Sequence, residues 1–391
     1  MKPKKIIAVT GARSDYDLLF SVYQLLNNNE LFDFRIIVTG SHLSEEFGYT
    51  VQYIEKDGFK IEDQIFNLIN SNNKIGRVIS LGNQIPALAQ AFFRLKPDIV
   101  LIAGDREEAL STSIAAAYMD IPVAHFFGGD VALDGNIDNS VRYATSKLSH
   151  IHFPTLEEHK INLLKLGEDE WRIHVVGNPA LDRLLNTVIL PRTEISKYFN
   201  SDINNSPYFV LIQHSIITEV EKQAEHIRIT LDAIVENGTK CFINYPNSDP
   251  GNYEIINAYK EYCEKYPNQL KLFQNLDRNM YVNLLRQAQC LIGNSSSGIL
   301  EAPSLGLPAV NIGNRQRGRI HGNNVIFVDN NKQQILEALK KVQTDSNFIA
   351  EVSKNKNPYG DGNSAGKVIQ VLANAKIDPK LIHKNITYNK I

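Results

Sequence analysis

Ile99-Val-Leu-Ile-Ala-Gly-Asp-Arg106 and Cys290-Leu-Ile-Gly-Asn-Ser-Ser-Ser-Gly298 follow one pattern, once in each half of the chain. Each begins with an apolar run too short for a helix and ends in a glycine-bearing polar turn. A helical stretch follows, then a second apolar run: Ile121-Pro-Val-Ala-His125 after the first, Leu307-Pro-Ala-Val-Asn311 after the second. Short apolar runs without polar alternation suit strands covered on both faces, and strand–turn–helix–strand is the parallel crossover unit. Such units present their turns at the carboxyl edge of the sheet, where open α/β sheets bind ligands.

Working outward, the same alternation continues. Ile6–Thr10, Phe34–Thr39, Ile99–Ala103, Val123–Phe126, His150–Phe153 and Ile173–Val176 read as strands of a first sheet. Tyr208–Ile212, Lys240–Asn244, Leu272–Phe273, Cys290–Ile292, Ala309–Ile312 and Val325–Phe327 read as strands of a second. Helices are expected at Asp17–Leu26, Arg106–Tyr118, Val220–Glu236, Arg278–Ala288 and Lys332–Val342. The fold class is therefore α/β, with two Rossmann-like domains and a ligand in the cleft between them. The polar stretch after Gly177-Asn-Pro179 sets the boundary: residues 1–178, joined by a C-terminal helix in 364–391, against residues 179–363.

Composition narrows the function. The 391 residues are 43% hydrophobic and 21% charged, as in an ordinary globular protein. Lys plus Arg number 41 against 43 Asp plus Glu, so no basic excess drives nucleic-acid binding. No apolar run is long enough to span a membrane, and the apolar run Ile6–Val9 is too short for a signal-peptide core. Three cysteines without CxxC spacing suit a reducing compartment, so a cytoplasmic protein is expected.

The polar turns carry the candidate chemistry. Gly293-Asn-Ser-Ser-Ser-Gly298 offers backbone N–H groups and the Ser295 and Ser296 hydroxyls to an anion, or is an ordinary helix cap. Glu301 could accept ribose hydroxyls or merely suit the helix start. Arg315 could clamp a pyrophosphate, with Arg13 reaching the same charge from the other domain; both could also be solvated. Asp105 is either a general base or a helix cap, with Arg106 beside it for a leaving group. Asp130 and Asp138 add carboxylates at the same edge, and several carboxylates together can divide acid and base work. His214 follows a strand and could supply a proton or bind phosphate. His150-x-His152 lacks a third ligand nearby, so no metal is expected.

Taken in order, these segments resemble the hydrolysing UDP-N-acetylglucosamine 2-epimerases, notably the bacterial branch feeding sialic- and legionaminic-acid synthesis. The resemblance rests on Val9-Thr-Gly-Ala-Arg-Ser-Asp-Tyr16, Val38-Thr-Gly-Ser-His-Leu43, Gly104-Asp-Arg106, Ile137-Asp138, Ser146-Lys-Leu-Ser-His150 and Gln213-His214. It continues through Pro246-Asn247, Gly293–Gly298, Arg315-Gln316 and Asn357-Pro-Tyr-Gly360. It implies a glycosyltransferase-B fold and a homodimer without cofactor. It also implies elimination of UDP to a glycal, then water addition that inverts C2. By position it assigns UDP to Arg13, Arg106, His214, Asn247, Ser295, Ser296, Glu301 and Arg315, and proton transfer to Asp105 and Asp138. His42 and Phe127 fall in its sugar pocket. Where relatives carry a titratable group, this chain has Phe127, and Asp130 replaces a glutamate. UDP-N-acetylglucosamine is the first candidate substrate, and UDP-2,4-diacetamido-2,4,6-trideoxyglucose is a close second because Phe127 makes the sugar pocket more apolar. A glycosyltransferase of the same fold and a UDP-sugar sensor without turnover are the alternatives.

Overall fold

The computed structural model describes residues 2–69, 74–131, 137–246, 251–274 and 276–385. The chain forms two compact units, Met1–Arg183 with Tyr359–Ile391, and Leu184–Pro358. The first holds six parallel strands: β1 (Lys4–Thr10), β2 (Phe32–Thr39), β3 (Ile61–Ile65), β4 (Ile99–Ala103), β5 (Val123–Phe126) and β6 (Ile151–Phe153). Their order is β3-β2-β1-β4-β5-β6, with Ile6 of β1 opposite Phe34 on one side and Ile99 on the other.

Period-two geometry splits these strands between two cores. Ile6, Ala8, Ile36, Val38 and Leu101 face one cluster, where the helices Arg13–Asn27 and Ser364–Asn374 contribute Leu19, Val22, Val368 and Leu372. Ile7, Val9, Ile37, Val100 and Ile102 face the other, against Leu88 and Phe92 of the helix Lys74–Leu95 and Ala115 and Ala116 of the helix Glu107–Ala117. Burial on both sides explains why these strands read as unbroken apolar runs.

The second unit repeats the plan with β7 (Tyr208–Ile212), β8 (Lys240–Asn244), β9 (Leu270–Phe273), β10 (Cys290–Gly293), β11 (Ala309–Ile312) and β12 (Val325–Val328). Its order, β12-β11-β10-β7-β8-β9, is the same topology renumbered. Phe209 and Leu211 enter one core, Tyr208, Val210 and Ile212 the other. Both units thus have the 3-2-1-4-5-6 order of a doubly wound nucleotide-binding fold.

One expected strand needs correction. Ile173–Val176 is not a sheet strand: only Ile173 makes an isolated bridge, to His152. The sixth strand of the first sheet is β3, Ile61-Glu-Asp-Gln-Ile65, an edge strand whose polar residues hide it from an apolar-run reading. The 22-residue helix Lys74–Leu95, which holds Pro86, adds to the helices read from the sequence. The C-terminal segment is tied to the first unit by Lys4, whose Nζ donates to the carbonyls of Leu372, Ala373 and Ala375 at 2.6–2.8 Å. Buried Arg172 ties it again, donating to the carbonyls of Leu381, Lys380 and His383 at 2.8–3.0 Å.

Candidate functional site

In the first unit the strand order switches direction between β1 and β4, so the turns after these strands and after β5 gather at one carboxyl edge. Asp105 lies in the turn after β4, beside Gly104 at φ +77°. Its carboxylate receives a charged hydrogen bond from Nη2 of Arg142, on the helix Asp138–Leu148. Nη1 of the same arginine donates to the Phe127 carbonyl at 3.0 Å and lies 3.8 Å from Asp130 Oδ2. Asp130 Oδ1 in turn lies 3.3 Å from Nε2 of His159. Asp138 opens the helix one turn before Arg142. Burial pushes the Asp105 carboxyl above its ordinary range; Arg142 opposes the shift, while Asp138 and Asp130 add to it. These three carboxylates share one electrostatic neighbourhood, the condition under which proton affinities separate.

The turn that carries Phe127 and Asp130 is tightly fixed. Phe127 sits at φ +63°, a left-handed conformation that costs a bulky residue about 1–2 kcal/mol. Its N–H donates to the Phe153 carbonyl at 3.1 Å, and its ring leans on the core beside Phe126, with centroids 6.5 Å apart. Gly129 has no room for a side chain, since a Cβ there would lie 2.1 Å from the His159 carbonyl oxygen. Beneath the turn, His125 is fully buried and burial drops its pKa to about 3. The neutral ring therefore donates from Nε2 to the Gly104 carbonyl at 2.8 Å and accepts at Nδ1 from the Ser146 hydroxyl at 3.0 Å. His125 thus splices the turn before Asp105 to the helix that carries Arg142.

Arg106 donates from Nε and Nη2 to the two oxygens of Glu108, at 3.1 and 3.3 Å. Glu108 is 5% exposed and fills space left by two glycines. A Cβ on Gly11 would lie 2.4 Å from its Cγ, and one on Gly40 2.6 Å from its Oε1. Nearby, burial pushes the Asp15 carboxyl up to about 7, against the pull of Arg106 and with a further push from Glu108. Arg13 is exposed, resting over the Tyr53 ring at 4.7 Å with Nε 3.5 Å from Asp17. His42 is wholly enclosed, its Nε2 3.1 Å from the Thr10 hydroxyl and its Nδ1 2.7 Å from that of Thr50. Both ring nitrogens therefore have hydroxyl partners. The ring braces the turns after β1 and β2.

In the second unit the switch falls between β7 and β10. His214 follows β7, and Asn294, Ser295 and Ser296 follow β10. Asn294 clamps His214 reciprocally: its Oδ1 accepts from the His214 N–H at 2.7 Å and its Nδ2 donates to the His214 carbonyl at 2.9 Å. The Asn294 carbonyl accepts from Arg315 Nη1 at 3.2 Å and Gln316 Nε2 at 3.1 Å, both from the loop after β11. Three neighbouring strands thereby deliver His214, the serine turn and Arg315 to one edge. The helix after the serine turn is a single turn, Ser297–Leu300. A long helix dipole is therefore not available, and anion binding would rest on hydroxyls, local N–H groups and Arg315. Glu301 ends that turn and pairs with Arg278 at 2.8 Å. Asn247 lies outside the described residues.

Sequence reasoning gave no role to Arg142, Glu108, His159, Asn294 or Arg278, although Asn294 stands in a segment that carries the family resemblance and Arg142 just after another. Arg142 carried a usable signal, its i,i+4 spacing from Asp138 on a helix. His152 and His150 are otherwise engaged, His152 with Glu168 at 2.9 Å and His150 with the Val123 N–H at 3.1 Å.

Two doubly wound units, each gathering polar and charged turns at the switch point of its sheet, define a double-Rossmann protein of the nucleotide-binding type. The family model for UDP-N-acetylglucosamine 2-epimerase matches residues 24–373. The chain belongs to that family. It is 35% identical to the GDP/UDP-N,N'-diacetylbacillosamine 2-epimerase (hydrolyzing) of Campylobacter jejuni, covering 98% of this chain and 99% of the relative. It is 33% identical to the UDP-N,N'-diacetylbacillosamine 2-epimerase (hydrolyzing) of Legionella pneumophila, over 98% and 100%. The structure of the Neisseria meningitidis UDP-GlcNAc 2-epimerase bound to UDP-GlcNAc superposes with a TM-score of 0.76 at 22% identity, covering 94% of this chain and 99% of that one. That likeness speaks for the fold, which is the two-domain glycosyltransferase-B type.

Proposed function

We propose that this protein is a hydrolysing 2-epimerase that converts a UDP-linked 2-acetamido sugar to UDP and the free C2-inverted sugar, for surface-polysaccharide synthesis. The observation that carries the reading is the convergence on Arg142, one helical turn from Asp138, of Asp130 and of Asp105, which adjoins Arg106 in the sequence. Elimination needs a base at C2 while the C1–O bond breaks toward UDP; hydration then needs an acid and an activated water. Asp105 and Asp138 take the proton-transfer roles, Asp130 assists, and Arg106 and His214 stabilise the departing diphosphate. UDP is held by Arg13, Asn247, Ser295, Ser296, Glu301 and Arg315. Phe127 and His42 belong to the sugar pocket, where Phe127 sets its apolar character.

A UDP-linked 2,4-diacetamido-2,4,6-trideoxy sugar is the favoured substrate and UDP-N-acetylglucosamine the second. The two relatives at 35% and 33% identity are named for the diacetamido sugar, whereas the meningococcal UDP-N-acetylglucosamine 2-epimerase is 29% identical. An apolar Phe127 also suits a 6-deoxy sugar with a second acetamido group. Three free thiols fit a cytoplasmic enzyme. A homodimer is part of this reading, with the exposed Phe66, Ile69, Ile75, Val78 and Ile79 as candidate contact residues.

The test is incubation with each UDP-sugar in heavy water, followed by phosphorus and proton NMR. Free UDP and a C2-inverted sugar carrying deuterium at C2 are expected. UDP released only with an added acceptor would point to a transferase, and retention of the original C2 hydrogen would sink the elimination route. For the nucleotide side, Arg315→Ala should weaken UDP binding about tenfold or more by calorimetry, the scale of one charge-assisted contact. Unchanged affinity would remove Arg315 from the site.

A further inference from the structure

Arg142 links the turns after β4 and β5 at the first unit's switch-point edge, and no role has been assigned to it. It is 8% exposed on its side chain and reaches three groups on two chain segments: Asp105 after β4, and the Phe127 carbonyl and Asp130 on the turn after β5. Its Nε is buried with no hydrogen-bond partner, so both terminal nitrogens are spent on the turns rather than on its own helix. A surface arginine would not be held in that state, because burying an unsatisfied guanidinium N–H costs free energy. The planar fork matters: one point charge cannot address a carboxylate and a carbonyl on different segments with fixed angles.

We propose that Arg142 is a positioning residue for the reaction, setting the distance and the shared charge of Asp105 and Asp130 and pinning the strained Phe127 turn between them. The inference rests on the epimerase reading and deepens it by naming what fixes the proton-transfer groups. Its logic follows from the substitution at 127. Phe127 brings no carboxylate, so proton traffic falls to Asp105, Asp130 and Asp138, which repel one another when ionised. A single buried cation between two of them keeps that cluster from drawing in a stray proton. The groups facing Asp105 and Asp130 are Asp138 and Arg142 on one helix, His159 on another, and Tyr143 beside Arg142. Among these, only Arg142 touches both carboxylates.

Arg142→Gln and Arg142→Lys test this in the full-length protein. Arg142→Gln should lower kcat about a hundredfold, the scale on which a misplacement of about 1 Å costs rate, with KM little changed and UDP affinity intact by calorimetry. The acid limb of its kcat/KM profile should move to higher pH, because removing the cation makes the carboxylates harder to ionise. Arg142→Lys should restore the pH profile more fully than kcat, since it returns the charge without the fork. Carboxyl-carbon NMR titration, with Asp105 assigned through Asp105→Asn, reads the same effect without turnover. There the Asp105 signal should titrate at higher pH in Arg142→Gln. A folded Arg142→Gln with parental kcat and pH profile overturns the proposal, as does an Asp105 titration that does not move. Should the parent release no UDP from any UDP-sugar, the epimerase reading falls, and the carboxyl titration alone then decides whether Arg142 sets the charge of Asp105.

Discussion

Asp105→Asn is expected to cut UDP-sugar turnover by a factor of about 10² to 10⁴, the range of a lost general acid or base, with UDP affinity unchanged. Asparagine preserves the shape and still accepts a hydrogen bond from Arg142, so the variant isolates the proton from the scaffold. Asp138→Asn should fall in the same range and Asp130→Asn less far, because Asp130 is already shared between Arg142 and His159. The pH dependence has a definite sign. Burial holds the Asp105 carboxyl above the ordinary aspartate range, so the ionised base is lost at a higher pH than a solvent-exposed aspartate would lose it. As pH falls, kcat/KM should therefore drop early, and Asp105→Asn should flatten that limb along with the rate. Steady-state UDP release across pH, with calorimetry of UDP as the control, measures both. Parental turnover in Asp105→Asn and Asp138→Asn alike would take proton transfer away from this cluster.

Much of this was legible in the residues because strands buried on both faces announce themselves. β1, β4, β7 and β10 each hold an apolar run, and three of them, β1, β4 and β10, lead into glycine-bearing turns, so both sheets are readable from hydropathy and turn chemistry. β3 escaped because an edge strand keeps polar residues. The carboxylates were legible as polar residues after strands. Their partners were not, since Arg142 reaches Asp105 across 37 residues and Glu108 is buried only because Gly11 and Gly40 leave room for it. Tertiary placement decides which of many Arg and Glu residues become part of a site. His42 shows the converse: a histidine in a family-like motif whose two nitrogens are both taken by threonines.

Gly293→Ala is expected to be the most damaging single-methyl change in the second unit, costing about 3 kcal/mol or more in stability and at least about tenfold in UDP affinity. Gly293 ends β10 at φ +116°, a backbone conformation that L side chains rarely adopt. A Cβ there would lie 2.2 Å from the Ile212 carbonyl oxygen and 2.7 Å from its carbon, with the Gln213 nitrogen 3.2 Å away. All three are backbone atoms of β7 and the residue after it, so no side chain can rotate to relieve the clash. The strands must part, and they part where Asn294 grips His214 and where the Asn294 carbonyl receives Arg315 and Gln316. Stability and nucleotide binding should therefore fall together. Two other glycines separate the contributing effects. Gly238 has φ +82° with open space around its missing Cβ, so Gly238→Ala should show conformational strain alone, about 1–2 kcal/mol, and leave UDP binding untouched. Gly298 has no left-handed φ and its nearest obstacle is the Ala309 methyl at 3.3 Å, so Gly298→Ala should be the mildest of the three. Urea denaturation and UDP calorimetry on the three variants read the order directly. If Gly293→Ala binds UDP as the parent does, the coupling between the β7–β10 seam and the nucleotide turn does not exist, and the assignment of UDP to that turn goes with it.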